Sequence, residues 1–162
     1  MVQPTGERAA GIEFKPLRTY PLCVALSAGH PYAPLKSVAL EKVAAEPLVG
    51  LRRKDFPDAY NILDHVFDSI NAKPRIALEC DNASSLITEV EAGRGIDLSS
   101  TIFKLATDKG LLYRPLTGTT EVLSPGIVRA REDEVTPAGE KFCEPMRNIS
   151  ADADTSRSNR KR

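Results

Sequence analysis

Residues 79–98 read ECDNASSLITEVEAGRGIDL, and the meaning of the Gly93-Arg94-Gly95 triplet within them decides the fold. A phosphate loop of dinucleotide type needs its glycines after a strand and at the opening of a helix, where free backbone N–H groups meet the anion. Here the order is reversed. Leu86, Ile87 and Val90 recur at helical spacing ahead of Gly93, and Gly95 precedes the apolar Ile96 and Leu98. The pattern predicts a helix closed by a left-handed glycine cap and followed by a strand over Gly95–Leu98. Asn82 or Ser84 can open the helix as its N-cap.

Working outward, Arg75–Glu79 (RIALE), Pro47–Leu51 (PLVGL) and Leu22–Ser27 (LCVALS) are short apolar runs of the kind that form buried strands. Ala28-Gly29-His30-Pro31 ends the last of these as a turn. From Pro57 to Ile70, residues Ala59, Ile62, Leu63, Val66, Phe67 and Ile70 lie on one helical face, with Asp58 in the first turn where negative charge is favoured. Leu40–Ala45 reads as a short helix that Ser37 can cap, and Ser99 or Ser100 can cap another through Ala106. Leu111–Arg114 returns as a strand. Glu121–Arg131 is a longer one interrupted by Pro125, and a final helix runs from Pro137 to Met146, with Thr136 as its cap and Phe142 and Met146 on one face. Strands alternating with helices imply an α/β sheet with parallel pairing. Ligands of such sheets sit at the strand C-termini, which places Arg52–Asp55, Asp81–Ser85 and Ser99–Thr101 around a candidate cleft.

At 162 residues, 41% of them hydrophobic, the chain can bury a substantial core as one domain or two small lobes. Its 22 basic and 22 acidic residues cancel, so no global field favours nucleic acid or a membrane surface. Cys23, Cys80 and Cys143 are scattered and odd in number, which argues against a disulfide framework or a zinc site and fits a reducing cytoplasm. No apolar leader and no stretch of about 18 apolar residues occurs. Residues 1–10 read as an irregular N-terminal segment, and residues 148–162, without a large apolar side chain, as a disordered tail.

The residues that carry chemistry cluster at the start of the quoted stretch. Asn82, Ser84 and Ser85 offer hydroxyls and unpaired backbone N–H groups at a helix N-terminus, suited to a small anion such as a carboxylate, with simple N-capping as the alternative. Arg52 and Arg53, directly after the PLVGL strand, can add cationic clamps to the same anion or form a solvated basic loop. His30 reads as a turn residue and His65 as a partly exposed helix position. Asp97 is either a buried acid with a shifted pKa or a solvent-facing strand residue. Cys23 and Cys80 read as buried small hydrophobes. No nucleophile, base and oxyanion donor assemble, nor does a metal set, so neither enzymatic activity nor a cofactor is expected; a small hydrolase using Cys80 or His65 is the residual enzyme reading.

Four segments together, Gly11–Leu17 (GIEFKPL), the LCVALSAGHPYA run, SVALEKVAAEPLVGL and SSLITEVEAGRGIDL, resemble the effector-binding domain of LysR-type bacterial transcriptional regulators, over Gly11 to Arg147. The resemblance implies a type II periplasmic-binding-protein-like α/β fold of two lobes with an inducer between them. Residues 11–147 would form that domain, residues 22–115 a complete second lobe and residues 121–147 the return to a partial first lobe. Carried onto this chain, the inducer-contacting positions are Ser84, Ser85 and Arg53, which Asn82 and Arg52 join from the reading above. The implied ligand is a small anionic metabolite, and the implied protein partner a second copy or a full-length regulator. The family's helix-turn-helix precedes the part matched here, so the expectation is a truncated regulator without direct DNA binding, with exposed apolar surface near Ile127-Val128 and Phe142. A partner-binding remnant that senses no ligand is the alternative. The chain departs from the family at Asp97, where a small or apolar residue is usual, and at Ser99-Ser100, where a proline-containing turn is usual.

Overall fold

The computed structural model describes residues 12–102, 110–130 and 136–145. The expected N-terminal segment, the helix continuing to Ala106, Met146 and the expected tail lie outside the described residues. In chain order the elements are β1 (Ile12–Pro16), β2 (Tyr20–Ser27), β3 (Val38–Ala39), α1 (Leu40–Ala44), β4 (Leu48–Leu51), α2 (Pro57–Asp68), β5 (Ile76–Cys80), α3 (Ala83–Glu91), β6 (Asp97–Ser100), β7 (Leu111–Thr117), β8 (Val122–Leu123) and β9 (Gly126–Ala130), followed by a helix over residues 137–145. They divide into two compact units, a larger one over Tyr20–Leu123 and a smaller one from the segments on either side of it.

In the larger unit the strand order is β3-β7-β2-β6, with β8 on the first residues of β2. The parallel pair β4-β5 joins this sheet through a parallel bridge between Leu48 and Ile96. Helix α2 connects β4 to β5, and α3 carries the chain from β5 to β6 on the other side of β4. The uniformly parallel sheet expected from the sequence is corrected at β2, which runs antiparallel to β6, β7 and β8. The crossover rule constrains strands joined through a helix, and β2 leads instead into the Ala28–Pro34 turns. Periodicity reports which face of a strand is buried and is blind to its direction.

Alternation along β2 places Leu22, Val24 and Leu26 in one core with Leu40 and Val43 of α1 and Val66 and Phe67 of α2. Val49 and Cys80 pack on the opposite face with Leu86 and Val90 of α3. Pro57 opens α2 at its first turn, where a missing N–H costs nothing. The expected Ser37 cap of α1 is not formed: Ala39 is the N-cap and makes no side-chain cap bond. Pairing of Val38 and Ala39 with Leu116 and Thr117 keeps the chain extended past Ser37, so the helix starts at Leu40 as expected, with two residues between it and that hydroxyl.

The glycine triplet closes α3 as its order predicts. The N–H of Gly93 donates to the Val90 carbonyl at 3.0 Å and that of Arg94 to the Glu89 carbonyl at 3.1 Å, with Gly93 at φ 74°, which is a Schellman cap. Gly95 has a different reason: a Cβ there would stand 2.6 Å from the Pro47 carbonyl oxygen. The strand expected over Gly95–Leu98 is displaced, with a single bridge at Ile96 and pairing over Asp97–Ser100. Ser99 and Ser100 are strand residues opposite Cys23 and Leu22, and the Ser100 Oγ accepts from the Ile102 N–H at 3.5 Å.

In the smaller unit β1 and β9 pair antiparallel from Ile12↔Ala130 to Pro16↔Gly126. Thr136 caps the last helix, accepting from the Gly139 N–H at 3.2 Å. Cys143 rather than Phe142 is its buried residue; Phe142 is 67% exposed and Val128 59%, the apolar surface expected at these positions.

Gly95→Ala is expected to lower unfolding free energy by about 1–3 kcal/mol, since the methyl must displace a strand backbone. Gly93→Ala should cost about 1–2 kcal/mol through the left-handed conformation alone. Urea unfolding midpoints measured by circular dichroism check both.

Candidate functional site

β4, β5 and β6 run the same way and end at one edge of the sheet, at Leu51, Cys80 and Ser100. The loops after β4 and β5 lie side by side: the Arg52 N–H donates to the Cys80 carbonyl at 2.8 Å. Asn82 caps α3 there, its Oδ1 accepting from the Ser85 N–H at 2.9 Å. Ser84 and Ser85 are exposed on the first turn. A helix gives its first N–H groups no internal acceptor, so those of Ala83 and Ser84 mark a positive pole at this edge.

The two arginines go different ways. Arg52 pairs with Asp81, next to the α3 cap, and with Asp55 at 3.5 Å. Arg53 turns toward α2: its guanidinium donates to both Asp64 oxygens, at 2.9 and 3.1 Å, and stands 4.2 Å from the centre of the Tyr60 ring. The Tyr60 hydroxyl donates to Glu79 at 2.7 Å, and the Arg53 N–H reaches the same carboxylate oxygen at 3.4 Å. Of the five residues singled out in the sequence, the structure thus gathers Asn82, Ser84, Ser85 and Arg52 at one edge, and sets Arg53 against α2. Burial and the Glu79 bond push the Tyr60 hydroxyl well above its ordinary pKa, while the Tyr60 bond holds Glu79 below its own. Tyr60, Asp64 and Glu79 escaped the sequence reading, which placed Asp81 at the cleft without its Arg52 partner. The i,i+4 spacing of Tyr60 and Asp64 was available, but their partners are brought in from other elements.

The other titratable residues weighed in the sequence are His30, His65, Cys80 and Asp97. His30 accepts the Tyr32 N–H on Nδ1 at 3.1 Å, as a turn residue does. His65 is exposed and meets Glu121 at 3.3 Å. Burial first, then the charges of Glu89, Asp81 and Asp97, raises the Cys80 thiol pKa, the opposite of what a nucleophilic thiolate requires. Asp97 pairs with Ala25 on β2; burial pushes its carboxyl up to about 7, against the opposing effect of a Ser99 hydrogen bond. A concavity lined by Ser27, Gly29, His30, Glu91, Gly93 and Gly110 opens at the opposite edge of the sheet, where β2 and α3 end. Among the described residues no helix is long and apolar enough to cross a membrane.

A family model described as the LysR substrate binding domain matches residues 1–149. The chain belongs to this family. Among curated proteins it is 31% identical over 72 residues, 44% of its length, to the HTH-type transcriptional regulator TtuA of Agrobacterium vitis, and the match spans 24% of that regulator. Among solved structures, the BenM effector-binding domain with its effector benzoate superposes with a TM-score of 0.79 at 22% identity, covering 93% of this chain and 68% of that one. The effector-binding domain of QuiR in complex with shikimate gives a TM-score of 0.76 at 20% identity, covering 90% and 68%. The fold is therefore that of LysR effector-binding domains, of the type II periplasmic-binding-protein class, and the curated relative is a transcriptional regulator rather than an enzyme.

Against this family background Asp97 makes stability depend on pH. Its folded pKa of about 7 lies above the ordinary 3.8, so the native state holds the proton more tightly. Stability is then full below about pH 4, falls as pH rises to 7, and levels off above it. Asp97→Asn should raise the melting temperature at pH 8, by up to a few kcal/mol of stability, and change it little at pH 4. Thermal melts across this range check the expectation.

Proposed function

We propose that this chain is a small-molecule sensor module whose larger unit supplies a carboxylate-binding site. In this reading residues 22–115 are the second lobe, residues 121–147 return to the first, and Ser84, Ser85 and Asn82 meet the ligand with Arg52 beside them. The observation that carries the proposal is the exposed α3 N-terminus, with two serine hydroxyls and a capping asparagine at the edge where the parallel strands end. Helix N-termini and hydroxyls suit a carboxylate without burying a counter-charge. That relatives of the same fold carry benzoate and shikimate, both carboxylates, supports this ligand class. The module acts in the cytoplasm, as part of a regulator or beside one, and not as an enzyme.

A second reading rests on a separate observation. Val128 on β9 and Phe142 on the last helix expose apolar surface in the smaller unit, which favours association with another regulator chain or a second copy.

Isothermal titration with a panel of aromatic and aliphatic carboxylates tests the first reading. Binding is expected, and Ser84→Ala and Ser85→Ala should each weaken it by about 2- to 10-fold, the worth of one hydrogen bond. Absence of binding across the panel overturns it. Sedimentation velocity tests the second: the wild type should self-associate, and Val128→Thr with Phe142→Ser should shift it toward monomer.

A further inference from the structure

We infer that a second copy of this chain joins the smaller unit at the outer edge of β1, so that two β1-β9 ribbons form one antiparallel sheet. This shares with the second reading above only the premise that the chain self-associates. Among the described residues β1 pairs with β9 alone. The Leu17 N–H donates to the Pro125 carbonyl at 3.0 Å, one step beyond the Pro16↔Gly126 pair. Bonding alternates along an antiparallel pair, so Lys15 and Glu13 bond inward to β9, and the backbone groups of Ile12, Phe14 and Pro16 turn outward.

β1 reads Ile-Glu-Phe-Lys-Pro, which is complementary in charge to itself when reversed about Phe14. In a two-fold pair centred there, Glu13 stands opposite the partner's Lys15, and Lys15 opposite the partner's Glu13, opposite charges that attract across a strand pair. The two Phe14 residues exchange both backbone bonds, and each Ile12 N–H reaches the carbonyl of the partner's Pro16. Pro16 has no N–H to return, which weakens the ends of the junction and leaves its centre intact. A slip of two residues either way sets Glu13 against the partner's Glu13, or Lys15 against the partner's Lys15. Charge therefore fixes the register. The outer edge of β9 has no such match, since its sequence Gly-Ile-Val-Arg-Ala contains no acid.

The faces agree with this pairing. Phe14 lies opposite Val128 and Pro16 opposite Gly126, so these four share one face, and the Phe14 ring packs where a Gly126 Cβ would be. Edge-to-edge joining brings the half-buried Phe14 ring beside that of the partner's Phe14 on this face, while Glu13 and Lys15 meet their counterparts on the other. A two-stranded ribbon is marginal in water without further strands or a helix against it, so the added strands stabilise the unit as well as join it.

Sedimentation velocity on the full chain and its variants tests the inference. Wild type is expected to dimerise, and Lys15→Glu, which turns both attractions into repulsions, should weaken the dimer at least about tenfold. Lys36→Glu makes the same charge change at an exposed position of the larger unit and should leave dimerisation within about twofold. Amide exchange is the second measurement: the Phe14 N–H should become protected as wild-type concentration rises. A monomeric wild type overturns this inference and the second reading together, and leaves another chain as the occupant of that edge. If wild type dimerises but Lys15→Glu dimerises equally well, or the Phe14 amide exchanges at one rate at every concentration, the strand-edge inference falls, while association through Val128 and Phe142 stands.

Discussion

The larger unit depends on one close approach, that of Gly95 to Pro47. The Ile96 N–H donates to the Pro47 carbonyl at 3.0 Å and the Val49 N–H to the Ile96 carbonyl at 2.9 Å. These bonds join the β4-β5 pair to the sheet built around β2. They form only because position 95 has no side chain: a Cβ would meet the Pro47 oxygen at 2.6 Å and the Val49 side chain at 3.1 Å. The junction helps to set where the Arg52–Phe56 loop and the start of α3 stand relative to β6, together with the packing of Val66 and Phe67 of α2 in the β2 core.

Electrostatics at that edge follow a division of labour. The arginines, which in sequence look like anion clamps, find carboxylates within the protein. Exposed pairs of this kind add little to stability, yet together they orient a loop, with Arg53 held by two oxygens, a ring and its own backbone N–H. In the proposed reading an anion meets dipoles and hydroxyls there, which carry no net charge. Asp97 shows the opposite case. It is a single acid on a strand between β2 and β4, and burial makes its ionised form costly.

Several features were legible in the sequence because they are local. The order of helix and glycine in LITEVEAGRG specifies a cap and excludes a phosphate loop, and the same stretch narrows the N-cap to Asn82 or Ser84, of which Asn82 is the cap. Pro57 and Thr136 mark helix starts for equally local reasons. Family membership was legible in the same way, as segments in a fixed order. Direction and register were not, as the reversed β2, the displaced β6 and the missing Ser37 cap show. Each depends on a partner strand far away in sequence, and hydrophobic period is the same for either direction of pairing.

The candidate site divides along the same line. Residue types, spacing and the helix N-terminus placed Asn82, Ser84 and Ser85 at the site edge, since a helix end and its cap are decided within a few residues. The fate of Arg53 was decided only by tertiary structure. Its partners come from α2 and β5, 11 residues away for Asp64 and 26 for Glu79, and a guanidinium's role is fixed by which carboxylate reaches it first. Sequence alone determined that a helix opens at a strand-terminal edge with hydroxyls on its first turn; folding determined which charges remain there to meet a ligand, because ion pairing acts through space and not along the chain.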